Sequence, residues 1–220
     1  MKIGMLGTGN LATTLGSAWV GAGHSIVLAG RSRNHARAAA HQIGPSASAV
    51  DASELADNAD LVVVAISWSG LTEALELAGA ADGKLAGKTV VDCTNPLDFA
   101  TATMLPESGS AAEHVARIAV GAHVVKALHM FAGASWPFAG SNDAAPVVAV
   151  CGDDAAALSQ AATLISDVGA RPATVGGLDA ARQLEEAAGF VMRVVGAGVN
   201  PRFAVPDVDP ALIAPASAEK

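Results

Sequence analysis

Residues 2–12, KIGMLGTGNLA, decide the fold of this chain, because they join a short apolar run to a glycine-rich turn and then to a helical pattern. Gly7, Gly9 and Ala12 have the G-x-G-x-x-G/A spacing, and they lie between a predicted strand and a predicted helix, as this motif requires. Gly7 permits the tight turn, Gly9 lets a pyrophosphate approach the backbone, and Ala12 keeps the helix close to the sheet. The N–H groups that begin the helix would face the anion. This stretch therefore predicts a βαβ unit that binds a dinucleotide.

Short apolar runs recur along the chain and alternate with helical stretches. We predict strands at residues 2–6, 25–29, 61–66, 89–92, 124–128, 147–151 and 171–175. We predict helices at residues 11–22, 33–43, 53–56, 71–80, 111–116, 154–168 and 179–195. This alternation predicts an α/β fold with a Rossmann, doubly wound, mostly parallel sheet. Turn-forming residues near 134–146 place a boundary between a nucleotide-binding domain, 1–142, and a small C-terminal α/β domain, 143–220.

Composition and charge exclude several classes of function. The formal net charge is −8 and only 4% of the residues are aromatic, so neither duplex nucleic acid nor stacked single strands are expected partners. Polar residues interrupt every apolar run before it could cross a membrane. The two cysteines, Cys93 and Cys151, lack metal-ligand spacing and are expected to be buried. We expect a cytoplasmic protein with no metal site, no nucleic-acid partner and no membrane partner.

The second predicted strand ends in VLAGRSR, residues 27–33, where enzymes that use NAD usually place an acid for the ribose 2′-hydroxyl. No acid is present. Arg31, Ser32 and Arg33 offer charge-assisted contacts to a 2′-phosphate instead, which predicts NADP(H) as the cofactor. The alternative is a solvated basic helix start, although cations there oppose the helix dipole unless an anion neutralises them.

Two further strand ends should face the same crevice, because ligands of open α/β sheets bind at the carboxyl ends of the strands. Trp68 follows one of these ends and could cover a ribose or pack against a helix. Asn95 follows the other and could bond the nicotinamide ribose or cap a turn. Both alternatives stay open for each residue.

Five blocks together resemble the family of NADPH:coenzyme F-420 oxidoreductases, relatives of the pyrroline-carboxylate and imine reductases. The blocks are residues 7–11 (GTGNL), 30–32 (GRS), 124–129 (VVKALH), 150–154 (VCGDD) and 178–185 (LDAARQLE). The resemblance spans most of the chain, and it implies hydride transfer between NADP and a deazaflavin. It also implies that the C-terminal domain binds the acceptor and pairs two subunits.

The resemblance assigns roles by motif. Thr8, Gly9, Asn10 and Leu11 would hold the pyrophosphate, Arg31 and Ser32 the 2′-phosphate, and Ile66 and Trp68 the inner ribose region. The backbone of Ala132 and Gly133 would contact the nicotinamide amide. His129 would lie beside the reacting rings as the catalytic residue and could stabilise charge on the acceptor as a donor. A histidine near a strand end is also often a hydrogen-bonded structural residue.

The sequence departs from the family pattern in two places. Ser67 stands where a proline is expected, and the loop of residues 129–137 is unlike that of the family. The aromatic side chains of Phe131, Trp136 and Phe138 could form a ring-binding wall or ordinary packing, and packing is slightly favoured. These departures put the identity of the acceptor in doubt.

Three functions follow from these observations. The first is an NADPH-dependent reductase acting on coenzyme F-420, whose anionic tail would have to find Arg182, Arg193, Arg202 or Lys126. The second keeps NADPH but reduces a flavin, an imine or another small carbonyl compound. The third is a protein that binds NADPH without turnover.

The apolar residues of the segment 189–199 favour a homodimer interface. The alternative is that these residues belong to the core of the small domain.

Overall fold

The computed structural model describes residues 1–140 and 145–209. Ten strands lie in these ranges: β1 (Lys2–Leu6), β2 (Ser25–Ala29), β3 (Ala47–Ala49), β4 (Leu61–Val64), β5 (Thr89–Asp92), β6 (Leu97–Asp98), β7 (Thr103–Met104), β8 (His123–Lys126), β9 (Val147–Gly152) and β10 (Arg171–Gly176). Six α-helices lie there too: α1 (Asn10–Gly21), α2 (Arg33–Ile43), α3 (Trp68–Leu77), α4 (Ala111–Ile118), α5 (Ala155–Asp167) and α6 (Ala181–Gly196).

Eight of the strands form one sheet in the order β10-β9-β8-β5-β4-β1-β2-β3. Neighbouring strands are parallel except for β8 and β9, which are antiparallel. The predicted Rossmann sheet is therefore confirmed. The register aligns the last residues of five strands in one row, namely Ala29, Leu6, Val64, Asp92 and Lys126. This row places the loops that follow these strands side by side.

The two faces of the sheet are covered by different helices. Leu15 and Trp19 of α1 pack with Leu164 of α5 on one face, and the Trp19 indole N–H donates to the Leu164 carbonyl over 2.9 Å. Leu71 of α3 and Val115 of α4 are buried on the other. Because both faces are covered, the central strand β4 is apolar and fully buried, as expected for a parallel sheet.

The helix starts follow local capping chemistry. Ser32 accepts a hydrogen bond from the His35 N–H at the start of α2, which begins at the predicted residue. Asp154 caps α5 by accepting from the Ala157 N–H, and the preceding Asp153 accepts from the Leu178 N–H. The predicted helix at 53–56 is wrong, because two single 3-10 turns, Ala52–Glu54 and Ala56–Asn58, take its place.

The predicted domain boundary between residues 142 and 143 lies outside the described residues. In residues 145–209 the strands β9 and β10 extend the sheet of the first part, and the division into two domains stays a prediction. The short strand β3 and the β6–β7 hairpin were not predicted, because runs of two or three residues show no recognisable alternation. In the described part of the chain, no helix has the length and hydropathy that a membrane span needs.

Candidate active site

The loops that follow the aligned strand ends line a crevice made of two clefts. The first has a volume of about 680 Å³, and the second about 710 Å³. They share Gly9 and the loop Ala65, Ile66 and Ser67 that follows β4, so they are continuous. An extended ligand could therefore lie across the strand ends with one half in each cleft.

The glycine turn at the centre of the crevice has the conformation that the motif predicts. Gly7 has a φ of +134°, and a Cβ there would lie 2.3 Å from the Ala65 carbonyl oxygen, so only glycine fits. Gly9 is the N-cap residue of α1, no side chain among the described residues caps this helix start, and no atom lies within 4 Å of a Cβ placed on Gly9. The helix start thus presents backbone N–H groups to open space, which fits a pyrophosphate.

The basic turn after β2 lines the first cleft through Arg31 and Ser32. A guanidinium nitrogen of Arg31 lies 3.1 Å from a Glu73 carboxylate oxygen, and both side chains are more than half exposed, at 64% and 57%. Such an exposed pair is weak and can open for a phosphate. His35, which the sequence interpretation missed, lines the same cleft one helical turn after Ser32. The sequence did contain a signal for His35, namely its position in the first turn of a helix that begins with basic residues.

Two predicted cofactor residues lie apart from the clefts. Arg33 forms an ion pair with Asp51 and is not among the residues that line the first cleft. Trp68 is half-buried and packs edge-on against His114 of α4, with ring centroids 5.2 Å apart. Ile66 lines both clefts, as its predicted role requires. The geometry of Trp68 thus corresponds to the packing alternative.

Asn95 and His129 meet at the inner wall of the second cleft. The Asn95 amide donates to the His129 carbonyl over 2.6 Å, and the His129 ring donates through Nε2 to the Leu184 carbonyl over 3.0 Å. Within the described ranges, Asn95 Oδ1 and His129 Nδ1 have no hydrogen-bond partner although both are buried. Two unpaired acceptor atoms therefore lie buried within the residues that line this cleft, and a hydrogen-bond donor that reached them would satisfy them.

The protonation state of His129 follows from its surroundings. Burial and, second to it, the charge of Lys126 lower the pKa of the imidazole to about 3. The ring is therefore neutral near pH 7, with its one proton on the Nε2 that faces Leu184. It presents an acceptor to its surroundings, so the predicted donor role would need a second proton on the ring. A catalytic role for His129 stays a prediction.

The loop after His129 forms part of the wall of the second cleft. Ala132 and Gly133 line it, and a Cβ on Gly133 would lie 2.9 Å from the Asn10 amide nitrogen, so this loop packs directly on the start of α1. Phe131 lines the cleft and contacts Trp136 edge-on, with centroids 5.2 Å apart. Trp136 itself is buried in the core. Of the three aromatic residues of this loop, Phe131 therefore lines the cleft, whereas Trp136 and Phe138 pack in or against the core.

The far wall of the second cleft comes from α6 through Ala188, Val191 and Met192. The sequence interpretation placed Val191 and Met192 in a dimer patch, because their spacing alone does not show which side of the helix faces a cleft. Phe190 and Val195 of that patch are 47% and 55% exposed. Pairing of two subunits stays a prediction.

The cations suggested for an anionic tail have different surroundings. Lys126 is wrong for that role, because it is fully buried and paired with Asp92 and Glu185. Arg182 donates to the Gly109 carbonyl over 2.8 Å and pairs with Glu186. Arg193 and Arg202 are exposed. Among the described residues, no group of three histidine, cysteine or acidic side chains could hold a metal ion.

Comparisons with known proteins agree with this geometry. Residues 2–96 match the protein family described as NADP oxidoreductase, coenzyme F-420-dependent. A crystal structure from Arthrobacter sp. FB24, named as a candidate F-420-dependent NADP-reductase, is 30% identical, with a TM-score of 0.80. The alignment covers 91% of this chain and 96% of that protein.

Two further similarities extend the comparison. Metalloreductase STEAP3 of Rattus norvegicus is 32% identical over 186 residues, which cover 84% of this chain but only 36% of the rat protein. A reductive aminase from Aspergillus terreus, solved with NADPH and ethyl-5-oxohexanoate, is 18% identical with a TM-score of 0.66, over 90% of this chain and 63% of the aminase. The similarity to the aminase shows a shared fold alone. From the match over nearly the whole Arthrobacter protein and the family match at the nucleotide-binding residues, this chain belongs to the family of coenzyme F-420-dependent NADP oxidoreductases.

Proposed function

We propose that this chain transfers hydride between NADP(H) and coenzyme F-420. The observation that carries the proposal is the continuous crevice, with a phosphate-binding turn at its centre, a basic turn in one cleft and a ring-sized apolar space in the other. The adenosine half of NADP(H) would lie in the first cleft, with its 2′-phosphate at Arg31 and Ser32. The nicotinamide half would lie in the second cleft, near Ala132 and Gly133.

In this arrangement the bound cofactor supplies the hydride, and the protein supplies binding, orientation and exclusion of water. The N–H groups at the start of α1 hold the pyrophosphate, and the loop of residues 129–133 covers the reaction space. Cys93 lines the second cleft, but burial raises the pKa of its thiol, so the thiol stays protonated and does not act as a nucleophile. Direct hydride transfer needs no such nucleophile.

The acceptor half of this proposal is supported by the family and by the size of the second cleft. F-420 carries an anionic tail, and Arg193 lines a neighbouring groove along α6 beside Phe190. We place the tail there, because the arginine is exposed and its groove lies on the helix whose other side chains line the cleft.

A second candidate acceptor is favoured by one observation. Among the described residues that line the second cleft there is no lysine or arginine, which suits an uncharged ring such as an imine, a carbonyl compound or the ring of a flavin. The NADP(H) half of the proposal is the same in both cases. The two differ only in what meets the nicotinamide.

The test is spectrophotometric. Purified protein is mixed with NADPH and oxidised F-420, and then with flavins and cyclic imines, and the loss of nicotinamide absorbance is followed. Turnover with F-420 is the expected result. Turnover only with another acceptor would replace the first candidate by the second, and binding of NADPH without any turnover would favour a non-catalytic nucleotide-binding protein.

A further inference from the structure

A cluster of three buried charges lies where the chain leads into the second cleft. Lys126 Nζ lies 2.9 Å from Asp92 Oδ2 and 2.7 Å from Glu185 Oε1, and all three side chains have an exposed fraction of 0%. Lys126 also donates to the Thr94 carbonyl. An ammonium group has three donors, so this lysine has an acceptor for each of them.

Each member of the cluster immediately precedes one wall of the cleft. Asp92 ends β5, and the chain then forms the wall that contains Cys93 and Asn95. Lys126 ends β8, and the chain then forms the wall of residues 129–133. Glu185 belongs to α6, one helical turn before Ala188 and two before Met192. One ammonium group therefore connects the starting points of all three walls.

Further hydrogen bonds link the charged cluster to the segments that form the walls of the cleft. Asp92 Oδ1 accepts from the Thr94 N–H over 3.0 Å, which fixes the turn before Asn95. Glu185 accepts from the Ala111 N–H at 3.0 Å through both of its oxygens, so the same carboxylate caps α4. The Glu185 carboxylate therefore joins α6 both to Lys126 and to α4.

The charge state of the lysine is consistent with a permanent connection. Burial by itself would lower the pKa of Lys126, but the charges of Asp92 and Glu185 outweigh that effect and raise it above its ordinary value. Stability alone is a weak reason for such a cluster, because well-packed apolar side chains of similar volume often stabilise a protein equally well. Apolar contacts do not fix the relative orientation of the segments they join, whereas hydrogen bonds between charged groups do.

We propose that Asp92, Lys126 and Glu185 are positioning residues for the hydride acceptor, because together they set the spacing of the three walls of the second cleft. The inference rests on the proposed function, since it concerns the acceptor half of the same crevice. The first cleft has no wall that begins at the cluster, so cofactor affinity at the adenosine half is expected to be independent of it.

The test compares Glu185→Gln with Glu76→Gln in the full chain. Both variants remove one carboxylate, but Glu76 is exposed on α3 and lines neither cleft, so it serves as the control. For Glu185→Gln we expect KM for the acceptor to rise about tenfold, because small displacements of a binding wall have large effects. The Kd for adenosine 2′,5′-bisphosphate, the part of NADP(H) placed in the first cleft, should change by less than about twofold, since no wall of that cleft begins at the cluster. Glu76→Gln should change neither. Equal changes in the acceptor KM and in this Kd, or an unchanged acceptor KM, would overturn the proposal.

A second measurement does not depend on activity. Backbone hydrogen exchange should become faster in Glu185→Gln at all three segments 93–95, 129–133 and 188–192, and stay unchanged at residues 7–9 and 30–32. If the single variant does not fold, the triple variant Asp92→Asn, Lys126→Met, Glu185→Gln removes every charge at once. Normal exchange at the three segments in that variant would overturn the proposal.

The kinetic measurement uses whichever acceptor the unmodified chain reduces. Failure of that chain to reduce F-420 would therefore reject the proposed acceptor and leave the positioning proposal open to test with another one. Conversely, turnover of F-420 with an unchanged acceptor KM in Glu185→Gln would reject only the positioning proposal.

Discussion

The two clefts of the crevice are built in different ways. The first draws on the turns that directly follow β1, β2 and β4, and each turn takes its shape from its own residues, such as the glycine at position 7 or the cap Ser32. The second draws on the ends of β5 and β8 and on α6, and its walls are joined by contacts such as that of His129 with Leu184, which lies 55 residues along the chain. Local sequence therefore specifies the first cleft, and long-range packing specifies the second.

The largest effect is expected from Gly7→Ala. The new Cβ would meet the Ala65 carbonyl at 2.3 Å with φ at +134°, so the turn must move, and we expect a loss of about 2 kcal/mol or more in the free energy of unfolding. Gly9→Ala is the matched variant, because its Cβ meets no atom within 4 Å. It should keep the stability measured by chemical denaturation and lose NADPH affinity. A stable Gly7→Ala chain with normal affinity would contradict the local origin of the first cleft.

Arg31→Ala should weaken NADPH binding about tenfold or more and leave NADH binding nearly unchanged, since hydrogen bonds between charged groups contribute about 1.5–3 kcal/mol. Arg33→Ala is the control, because Arg33 pairs with Asp51 and does not line the cleft. Isothermal titration with both nucleotides measures the difference. Equal losses for NADPH and NADH would show that the 2′-phosphate is bound elsewhere.

His129→Gln tests the second cleft through its pH dependence. The pKa of His129 is lowered to about 3 in the folded chain, so the unfolded chain binds more protons between that pH and about 6.5. Stability should therefore fall as the pH falls through this window, and between pH 7 and pH 5 this histidine should account for a loss of about 2 kcal/mol.

Chemical denaturation of His129→Gln at pH 7 and pH 5 should show a smaller fall in the free energy of unfolding between the two pH values. The control His41→Gln, a change at an exposed histidine of α2, should show the same fall as the unmodified chain. An unchanged pH dependence in His129→Gln would mean that the imidazole is not held neutral by its surroundings.

The smallest effect is expected from Glu73→Gln. With the 2′-phosphate at Arg31, as proposed, the exposed pair of Glu73 with Arg31 would compete with it, and a pair of this kind contributes less than about 1 kcal/mol, so NADPH should bind about twofold more tightly. Glu76→Gln, on the same helix but outside the first cleft, is the control. Weaker binding in Glu73→Gln would indicate that Glu73 orients Arg31 instead of competing for it.

Much of the fold could be predicted from the sequence, because strands such as β1, β2 and β5 and the start of α2 depend on local periodicity and caps. The 3-10 turns at residues 52–58 and the short strand β3 could not, because they depend on where the neighbouring chain passes. At the site, the roles of Gly7, Gly9 and Arg31 have the geometry they require. The same geometry separates Trp68 and Arg33 from the clefts, since ring packing and an ion pair hold them elsewhere.

The sequence alone determined the glycine turn and was enough to predict NADP(H) as the cofactor, because both depend on residues adjacent in the chain: the glycine that alone tolerates the conformation at position 7, and the arginine that stands where an acid would be. Only the tertiary structure decided that Lys126 is a buried partner of Asp92 and Glu185, that His129 presents an acceptor, and that α6 forms a wall of the second cleft. The reason is that burial and pairing are properties of groups brought together from distant parts of the chain, and no local pattern records which groups will meet.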